Sequence, residues 1–433
     1  MIKKYFAASL LVAVCSVARA QSPPAQSPPA EQQTPPGQET SGSQPPPLEP
    51  GESGAVSLVE GILDNTANHL GFSFSMYEMR SRFRGSQSSD LAAGALYSQI
   101  FTNRRGRRSS LHLDYGFGYT MYHGKSGLNN THSHSGSASW EVRLARYTSF
   151  SLTDTISSSP NDYGFSPGGR SQIGTYTIYS QEVLVDRQRL IANTLTAGVK
   201  QRLTKKINAS VFGRHDYLRF SRDDFRGGQG FQVGVRADYQ INGWLHLDNS
   251  YSTYLNTIDD KLLSSTIHRL DVGGFRFKVS RNIQFTAKAG VEYTRYLRNG
   301  QTFAGFEGVI SRNTRSNSIL ILYHRGLSTI LGPGTILQGH NAALSITQNF
   351  LSRFTLQLDG SYVRGGGFTP DSSMENISAN GGLQIGLQSN LIASTNFGFV
   401  SQHLRNLPFV APDIRSYTAF VGLQYLLPTL RGR

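Results

Sequence analysis

Residues 231–241 read FQVGVRADYQI, and every second side chain in this stretch is apolar or aromatic. Phe231, Val233 and Val235 begin the apolar series, whereas glutamine, glycine and arginine lie between and after them. Successive side chains of a β-strand point to opposite faces of the sheet, so this alternation predicts a strand with one apolar and one polar face. A helix would instead need apolar residues at a spacing of three and four.

The same alternation recurs from residue 70 to residue 427. The stretches 111–121 (LHLDYGFGYTM) and 283–293 (IQFTAKAGVEY) are further examples. We count about 18 such segments of roughly 10 to 14 residues each, long enough to cross a bilayer at a tilt. Their starts are predicted near residues 70, 91, 109, 134, 148, 189, 206, 230, 244, 265, 282, 303, 316, 338, 353, 375, 390 and 413.

Short and long connections alternate between these segments, which places all long loops at one end. The short ones include 145–147, 204–206, 280–282 and 388–390, and the long ones include 124–133, 158–188, 220–229, 326–337, 365–374 and 402–412. Asn242-Gly243 predicts a two-residue hairpin turn. Gly273-Gly274 predicts a one-residue bulge, because the apolar face changes there. The prolines after residue 54 are expected outside the strands, since proline cannot donate to a β ladder.

Two all-β architectures share this alternation, the soluble sandwich and the closed membrane barrel. A membrane barrel turns its apolar faces to lipid and its polar faces to the interior. Strand length, alternating connections and Tyr and Phe near strand ends favour the membrane barrel. No run of 18 apolar residues is present that would form a transmembrane helix. We therefore predict an all-β fold, a transmembrane antiparallel up-and-down β-barrel of about 18 strands (roughly 16 to 18), in the bacterial outer membrane.

The N-terminal part has a different composition from the barrel region. Residues 1–20 are interpreted as a signal peptide, with Lys3 and Lys4 before a short apolar core and a small-residue cleavage site at 18–20. Residues 21–54 are rich in Pro, Gln and Ser and predict a disordered periplasmic linker. Residues 55–69 predict a short helix or further linker, 70–427 the barrel, and 428–433 a periplasmic tail.

Composition excludes several classes of function for this chain. It has 433 residues, a formal net charge of +14 and one cysteine, Cys15. A lone cysteine excludes a disulfide scaffold and a multi-cysteine zinc site. No phosphate-binding loop and no common hydrolase motif is present, so no catalytic residue, metal or cofactor is predicted. Nucleic acid is not an expected partner, because the arginines are scattered over turns of an exported chain.

With this architecture, residues 70–427 resemble the porin-like outer-membrane β-barrels of Gram-negative bacteria, some of which are linked with exopolysaccharide export. The final strand, 416–427, is similar to the C-terminal assembly signal of such barrels, with alternating aromatic residues and Gly422. It departs from that pattern because residues 428–433 follow, where the family ends at an aromatic residue. The resemblance implies transport of solutes, contact with outer-membrane lipid and insertion by the barrel-assembly machinery.

The polar faces of the predicted strands carry both signs of charge. The predicted lumen-lining residues are Glu141, Arg143, Arg214, Arg236, Asp238, Arg269, Asp271, Lys288, Glu292 and Asp359, with Asp114, Asp216, Asp248 and Arg276 on the same faces. Two interpretations stay open. The charges line a wet channel whose transverse field orients polar solutes, or they form salt bridges that fill and stiffen the barrel. The stretch 158–188 is the candidate for a loop that folds inward.

The short connections are basic, and we expect them to surround the periplasmic mouth. The predicted ring consists of Arg104, Arg105, Arg107, Arg108, Lys205, Lys206, Arg281, Arg312, Arg315 and Arg353. Such a ring lowers the potential energy of an anion that approaches from the periplasm. Contact with anionic lipid head groups is the alternative interpretation.

Three functions are weighed on this basis. The favoured one is porin-like passage of small hydrophilic or anionic solutes through a water-filled, mixed-charge lumen with a basic periplasmic mouth. The second is the outer-membrane exit of an exopolysaccharide export system, which would handle an acidic polysaccharide. The third is a surface hydrolase built on His215-Asp216 near Asp223 and Asp224, although the chain is not expected to be an enzyme. His132 and His134 are read as solvated loop residues in preference to a metal site.

Overall fold

The computed structural model describes residues 69–84, 89–123, 130–161, 170–173, 176–179, 188–220, 227–258, 264–296, 299–314, 316–330, 335–350, 353–367, 372–388, 390–405 and 413–431. The predicted signal peptide, linker and short helix lie outside these residues, apart from His69 at the end of the helix prediction. In the part of the chain so described, no helix is long and apolar enough to cross a membrane.

Strands account for almost all of the described chain. They are β1 (His69–Arg84), β2 (Ser89–Arg105), β3 (Ser109–His123), β4 (Thr131–Ala145), β5 (Thr148–Asn161), β6 (Arg170–Ile173), β7 (Tyr176–Tyr179), β8 (Gln188–Arg202), β9 (Ile207–Phe220), β10 (Gly228–Gln240), β11 (Leu245–Ile258), β12 (Ser264–Lys278), β13 (Ile283–Tyr296), β14 (Asn299–Asn313), β15 (Asn317–Ile330), β16 (Thr335–Phe350), β17 (Phe354–Gly367), β18 (Ser373–Gln388), β19 (Leu391–Arg405) and β20 (Ile414–Arg431). Each barrel strand begins within four residues of its predicted start.

Eighteen of the strands form one closed sheet. Each strand pairs antiparallel with the next along the chain, β5 pairs with β8, and β1 pairs with β20 to close the ring. β6 and β7 form a separate hairpin inside the long connection between β5 and β8. The predicted fold class is therefore confirmed, and the architecture is that of porin-like outer-membrane barrels.

One face of the barrel wall is covered with exposed apolar side chains. Val421 is 66% exposed, Ile156 is 53% exposed and Phe397 is 55% exposed. Apolar surface in water costs about 25 cal/mol per Å², and a monomeric soluble protein rarely exposes a large continuous patch of it. This face is the outer, lipid-facing side of the barrel, and the alternate residues of each strand face the interior.

Several boundaries differ from the sequence prediction. β15 and β16 extend further than predicted, so their connection is residues 331–334 and not 326–337. β4 begins at Thr131, and therefore His132 and His134 lie in a strand and not in a long loop. Both histidines point to the outer face, where the Tyr115 hydroxyl lies 2.8 Å from His134 Nδ1.

Two prolines lie inside strands, contrary to prediction. Pro160 is the next-to-last residue of β5. Pro428 lies in β20, which continues to Arg431 and so extends beyond its predicted end at residue 427. The pairing of β20 with β1 shifts register between Leu70 and Phe72, directly opposite Pro428. A bulge accommodates proline, because the residue at a bulge is not required to donate to the ladder.

The short turns share one hydrogen-bonding arrangement. Asn242-Gly243 lies in a four-residue turn and not a two-residue one, and Asn242 Oδ1 accepts the N–H groups of Trp244 and Leu245 at 3.0 and 2.8 Å. Thr204 and Ser280 hold the equivalent positions, with hydroxyl oxygens that accept the N–H groups two and three residues ahead. Short polar side chains favour these turns because they replace a backbone acceptor.

Candidate functional site: a charged cluster in the barrel interior

Ionisable side chains on the inner faces of β10 to β15 meet in one group, called here the interior charge cluster. Each alternates along its strand with an exposed outer residue, as Arg236 does with Val235 and Glu292 with Val291. The cluster consists of Arg236, Asp238, His246, Asp248, Arg269, Asp271, Arg276, Lys288, Glu292, Glu307 and His324.

Asp248 is the centre of one half of the cluster. It is fully buried, and its carboxylate accepts two hydrogen bonds from the Arg236 guanidinium, one of them Nε to Oδ1 at 2.7 Å. Arg276 Nη2 lies 3.2 Å from the same carboxylate, and Lys288 Nζ lies 3.8 Å away. Arg276 also reaches Asp238 at 3.4 Å, so the chain of contacts continues from strand to strand.

Arg269 is the centre of the other half. Its Nε lies 2.9 Å from Asp271 Oδ1, its Nη1 lies 3.5 Å from Glu292 Oε1, and its Nη2 lies 3.5 Å from Glu307 Oε2. His324 Nδ1 is 3.4 Å from the same guanidinium. Glu307 joins the two halves, because its other oxygen lies 3.9 Å from Lys288 Nζ. One arginine is thus surrounded by three carboxylates that are each at most 3% exposed.

The Gly273-Gly274 bulge places both halves on one face, and its prediction is confirmed. The pairing of β12 with β13 shifts register between Val272 and Phe275. Under strict alternation from Asp271, Arg276 would point to lipid, and the extra residue returns it to the interior. A Cβ on Gly274 would overlap the carbonyl oxygen of Asp248, so only glycine allows the two strands to approach here.

The loop end of β15 turns into the barrel interior. β15 pairs with β14 only as far as Phe306–Arg325, although both strands continue beyond that point. The Leu327 N–H group donates to Glu292 Oε2 on β13 at 2.5 Å, and the Leu327 side chain packs against Ile267. This end of β15 therefore contacts inner-face residues of β12 and β13, while it stays paired with β16 as far as Ile330.

Apolar side chains also occupy the interior between the cluster and the short-turn end of the barrel. Val309, Leu322 and Ala343 face inward, are at most 5% exposed and pack with Leu320. β15 therefore carries apolar residues on both faces, unlike a strand between lipid and open water. The interior near β14 to β16 is therefore packed with side chains both at the cluster and at this apolar group.

Comparisons with known proteins find solved structures of low similarity and no match in sequence. No protein-family model matches the chain, and no curated protein sequence does. Solved structures that align with it include OccAB4 of Acinetobacter baumannii, 10% identical over 84% of this chain and 99% of that one at a TM-score of 0.44. OccK8 (OprE) of Pseudomonas aeruginosa is 11% identical over 83% of this chain and 98% of that one at a TM-score of 0.43. The fold assignment rests on the strand pairing and the apolar outer face of this chain.

Eight residues predicted on the lumen faces belong to the interior charge cluster: Arg236, Asp238, Asp248, Arg269, Asp271, Arg276, Lys288 and Glu292. Arg214 and Asp216 form a separate inner pair at 2.8 Å. Asp359 accepts hydrogen bonds from Ser345 and Gln357. Glu141 and Arg143 are on the inner face but exposed.

Sequence reasoning did not find His246, Glu307 or His324 as members of the cluster. Glu307 lies in the stretch AGFEGVIS, where glycines beside the charged residue weaken the alternation. His324 lies on β15, whose apolar residues on both faces hide the inner one. Only the cross-strand register shows that these side chains meet Arg269 and Glu292.

The His215-Asp216 pair does not form a catalytic arrangement. His215 is on the outer face and stacks on Phe231 with ring centroids 4.5 Å apart. Asp216 is on the inner face, where it accepts from Arg214 and Thr194 at 2.8 Å. Neighbouring residues of a strand face opposite sides, so the two cannot share a substrate. Asp223 and Asp224 lie outside the described residues.

The predicted basic ring falls at the end of the barrel where the short turns lie. Arg107 and Arg108 are exposed between β2 and β3, Lys205 and Lys206 between β8 and β9, and Arg281 between β12 and β13. The remaining described members lie at strand ends or turns on the same side: Arg104 and Arg105 on β2, Arg312 on β14 and Arg353 before β17. Arg315 is outside the described residues.

Proposed function

We propose that the protein is an outer-membrane channel that passes small hydrophilic solutes past a charged constriction. The observation that carries the proposal is a closed barrel of 18 strands with apolar side chains outside and ionisable side chains inside. Barrels of about 16 to 18 strands leave an aqueous lumen unless it is filled. In this proposal residues 1–20 direct export, 21–54 form a periplasmic linker and the chain resides in the outer membrane.

The interior charge cluster would act as the selective part of such a channel. It contains four arginine and lysine side chains, five carboxylates and two histidines. Opposite charges on adjacent strands create a field across the lumen, and a solute with separated charges gains energy by aligning with it. The small excess of carboxylates favours cations at this level, whereas the basic turns favour anions at the mouth.

Current through the refolded protein in a planar bilayer, under a salt gradient, tests the proposal. We expect stable conductance steps from the unaltered protein. Glu307→Gln removes a cluster carboxylate and is expected to move the reversal potential towards anion preference. Glu141→Gln is the matched control, because Glu141 is also on the inner face but is exposed and outside the cluster.

A folded barrel that never conducts would contradict the channel function. Equal shifts in reversal potential for Glu307→Gln and Glu141→Gln would contradict the assignment of selectivity to the cluster. The characteristic heat-dependent change in gel mobility of a folded barrel establishes that each variant has inserted correctly.

The exposed basic turns favour one alternative, the exit of an exopolysaccharide export system. Arg107, Arg108, Lys205, Lys206 and Arg281 would then attract an acidic polymer from the periplasm. Deletion of the gene in its host tests this alternative. The alternative is supported if the deletion removes surface polysaccharide, and if the unaltered chain restores it whereas a chain without these five basic residues does not. Unchanged surface polysaccharide in the deletion strain would contradict it.

A further inference from the structure

A row of polar side chains crosses the outer face of the barrel towards the loop end of β15 to β19. Arg325, His340, Arg364, Glu375 and His403 are direct neighbours in the register of these five strands. All five lie on the outer face. Arg325 is two residues after the exposed Tyr323 and Glu375 is two residues before the exposed Ile377, and residues two apart in a strand share one face. The row lies next to exposed apolar side chains of the same face.

These side chains surround a cavity of about 500 Å³, called here the rim pocket. Arg405 completes its lining, so the rim pocket contains three arginines and two histidines against one glutamate. Arg325, Arg364, Arg405 and His340 are exposed. The volume is sufficient for a small charged head group, and the excess of cationic side chains favours an anion.

The acidic side chains at the rim pocket already have other partners. Glu375 Oε1 accepts from the Tyr362 hydroxyl at 3.3 Å, and Asp413 pairs with His403 Nδ1. Arg405 Nε donates to the other ring nitrogen of His403 at 3.2 Å. Among the residues that the structure describes, no carboxylate is within salt-bridge distance of Arg325 or Arg364. An external anion would displace no carboxylate of this part of the chain from the two guanidinium groups.

The surroundings of the rim pocket indicate the source of that anion. Ile321, Leu358 and Ile377 are about two-fifths exposed on the same face, next to the row and towards the short-turn end. The Tyr323 hydroxyl lies 2.7 Å from His340 Nδ1, which is the arrangement of an aromatic residue between apolar and polar zones. If the anionic group of a ligand fills the pocket, an apolar part of the same ligand would contact these three side chains.

We infer that the rim pocket binds the phosphate group of a lipid in the surrounding membrane, on the side of the long loops. Arginine recognises phosphate through two parallel hydrogen bonds, and Arg325 and Arg364 flank His340 on adjacent strands in a position to share one phosphate. The inference concerns the outer wall of the barrel and does not depend on what passes through the interior.

Binding of lipid to the full-length protein in detergent, followed by native mass spectrometry, tests this site. The probes are a glycolipid with two phosphate groups, the same glycolipid after enzymatic removal of its phosphates, and inorganic phosphate as a competitor. The variant is Arg325→Gln/Arg364→Gln. The matched control is Arg219→Gln/Arg295→Gln, which removes two exposed outer-face arginines outside the rim pocket.

We expect the pocket variant to bind the phosphorylated glycolipid about 100-fold more weakly, because each arginine that is hydrogen-bonded to the phosphate contributes roughly a factor of ten. The control should lose much less, because its arginines would attract the lipid only by long-range electrostatics, which salt screens. Equal losses in the two variants would overturn the site and indicate general surface attraction. Unchanged binding of the dephosphorylated glycolipid, or displacement by millimolar inorganic phosphate, would overturn a lipid phosphate as the occupant.

A second pair of substitutions guards against misfolding. If the double glutamine variant loses the heat-dependent mobility shift, Arg325→Lys/Arg364→Lys replaces it, because lysine keeps the charge but cannot form the two parallel bonds. We expect a severalfold loss of affinity in that variant. An affinity equal to that of the unaltered protein would contradict recognition by the arginine pair.

Discussion

Arg269 is the residue whose loss should most disturb the interior of the barrel. Arg269→Met keeps much of the side-chain volume and removes the positive charge. Asp271, Glu292 and Glu307 would then face one another without the guanidinium that lies within 3.5 Å of all three. Lys288 would be left as the nearest cation to Glu307.

The magnitude follows from the burial of these carboxylates. Asp271 is 3% exposed, Glu292 is 1% exposed and Glu307 is not exposed at all. Removing one partner from a buried ion pair costs about 3 to 5 kcal/mol, because the remaining charge cannot be solvated. The Arg269 side chain is itself 15% exposed, so some water reaches the group. We therefore expect destabilisation at the lower end, about 3 kcal/mol.

Urea unfolding of the barrel in lipid vesicles, followed by tryptophan fluorescence, measures this change. Arg143→Met is the matched control, since Arg143 is an exposed inner-face arginine with no salt-bridge partner among the described residues. Its loss should change the free energy of unfolding by less than about 1 kcal/mol. Arg269→Met/Glu307→Gln should recover part of the stability, because one unpaired carboxylate is gone.

The reasoning is refuted if Arg269→Met costs no more than Arg143→Met. It is also refuted if adding Glu307→Gln makes the Arg269→Met protein less stable still. Either result would mean that water or mobile counter-ions neutralise the carboxylates, and that the cluster is a hydrated lining and not a packed network.

Three further predictions concern the strands and one of the short turns. Gly326→Ala would place a Cβ 2.5 Å from Glu292 Oε2, so the loop end of β15 should move away from the cluster and single-channel conductance should rise. Gly339→Ala would overlap backbone atoms of β17, and should lower the urea midpoint by the equivalent of about 1 to 3 kcal/mol, whereas Gly381→Ala meets only a side-chain carbon at 3.4 Å and should change it little. Thr204→Ala removes the acceptor of two turn N–H groups and should cost about 1 kcal/mol in the same assay, with unchanged conductance.

Each of these three has a result that would contradict it. Unchanged conductance after Gly326→Ala would mean that β15 does not limit the lumen. Equal urea midpoints for the two glycine variants would show that the strands near Gly339 have room for a side chain. A Thr204→Ala protein as stable as the original would show that water satisfies the turn equally well.

The amino-acid sequence by itself determined the approximate number of barrel strands, their approximate bounds and which face of each is apolar. These properties are local, because the two-residue period of a strand fixes the direction of each side chain from its neighbours alone. The bulge at Gly273-Gly274 was predicted for the same reason: the change of face is visible within one strand. His215 and Asp216 could likewise have been assigned to opposite faces from alternation.

The tertiary structure decided which inner side chains meet and where the pairing between neighbouring strands ends. Arg269 contacts residues on β12, β13, β14 and β15, and only the register between those strands brings the groups together. The inward course of β15 beyond Arg325 depends on Glu292 as an acceptor two strands away, and on Ile267 as an apolar neighbour. Such contacts join residues far apart in the chain, and a period of two residues contains no information about them.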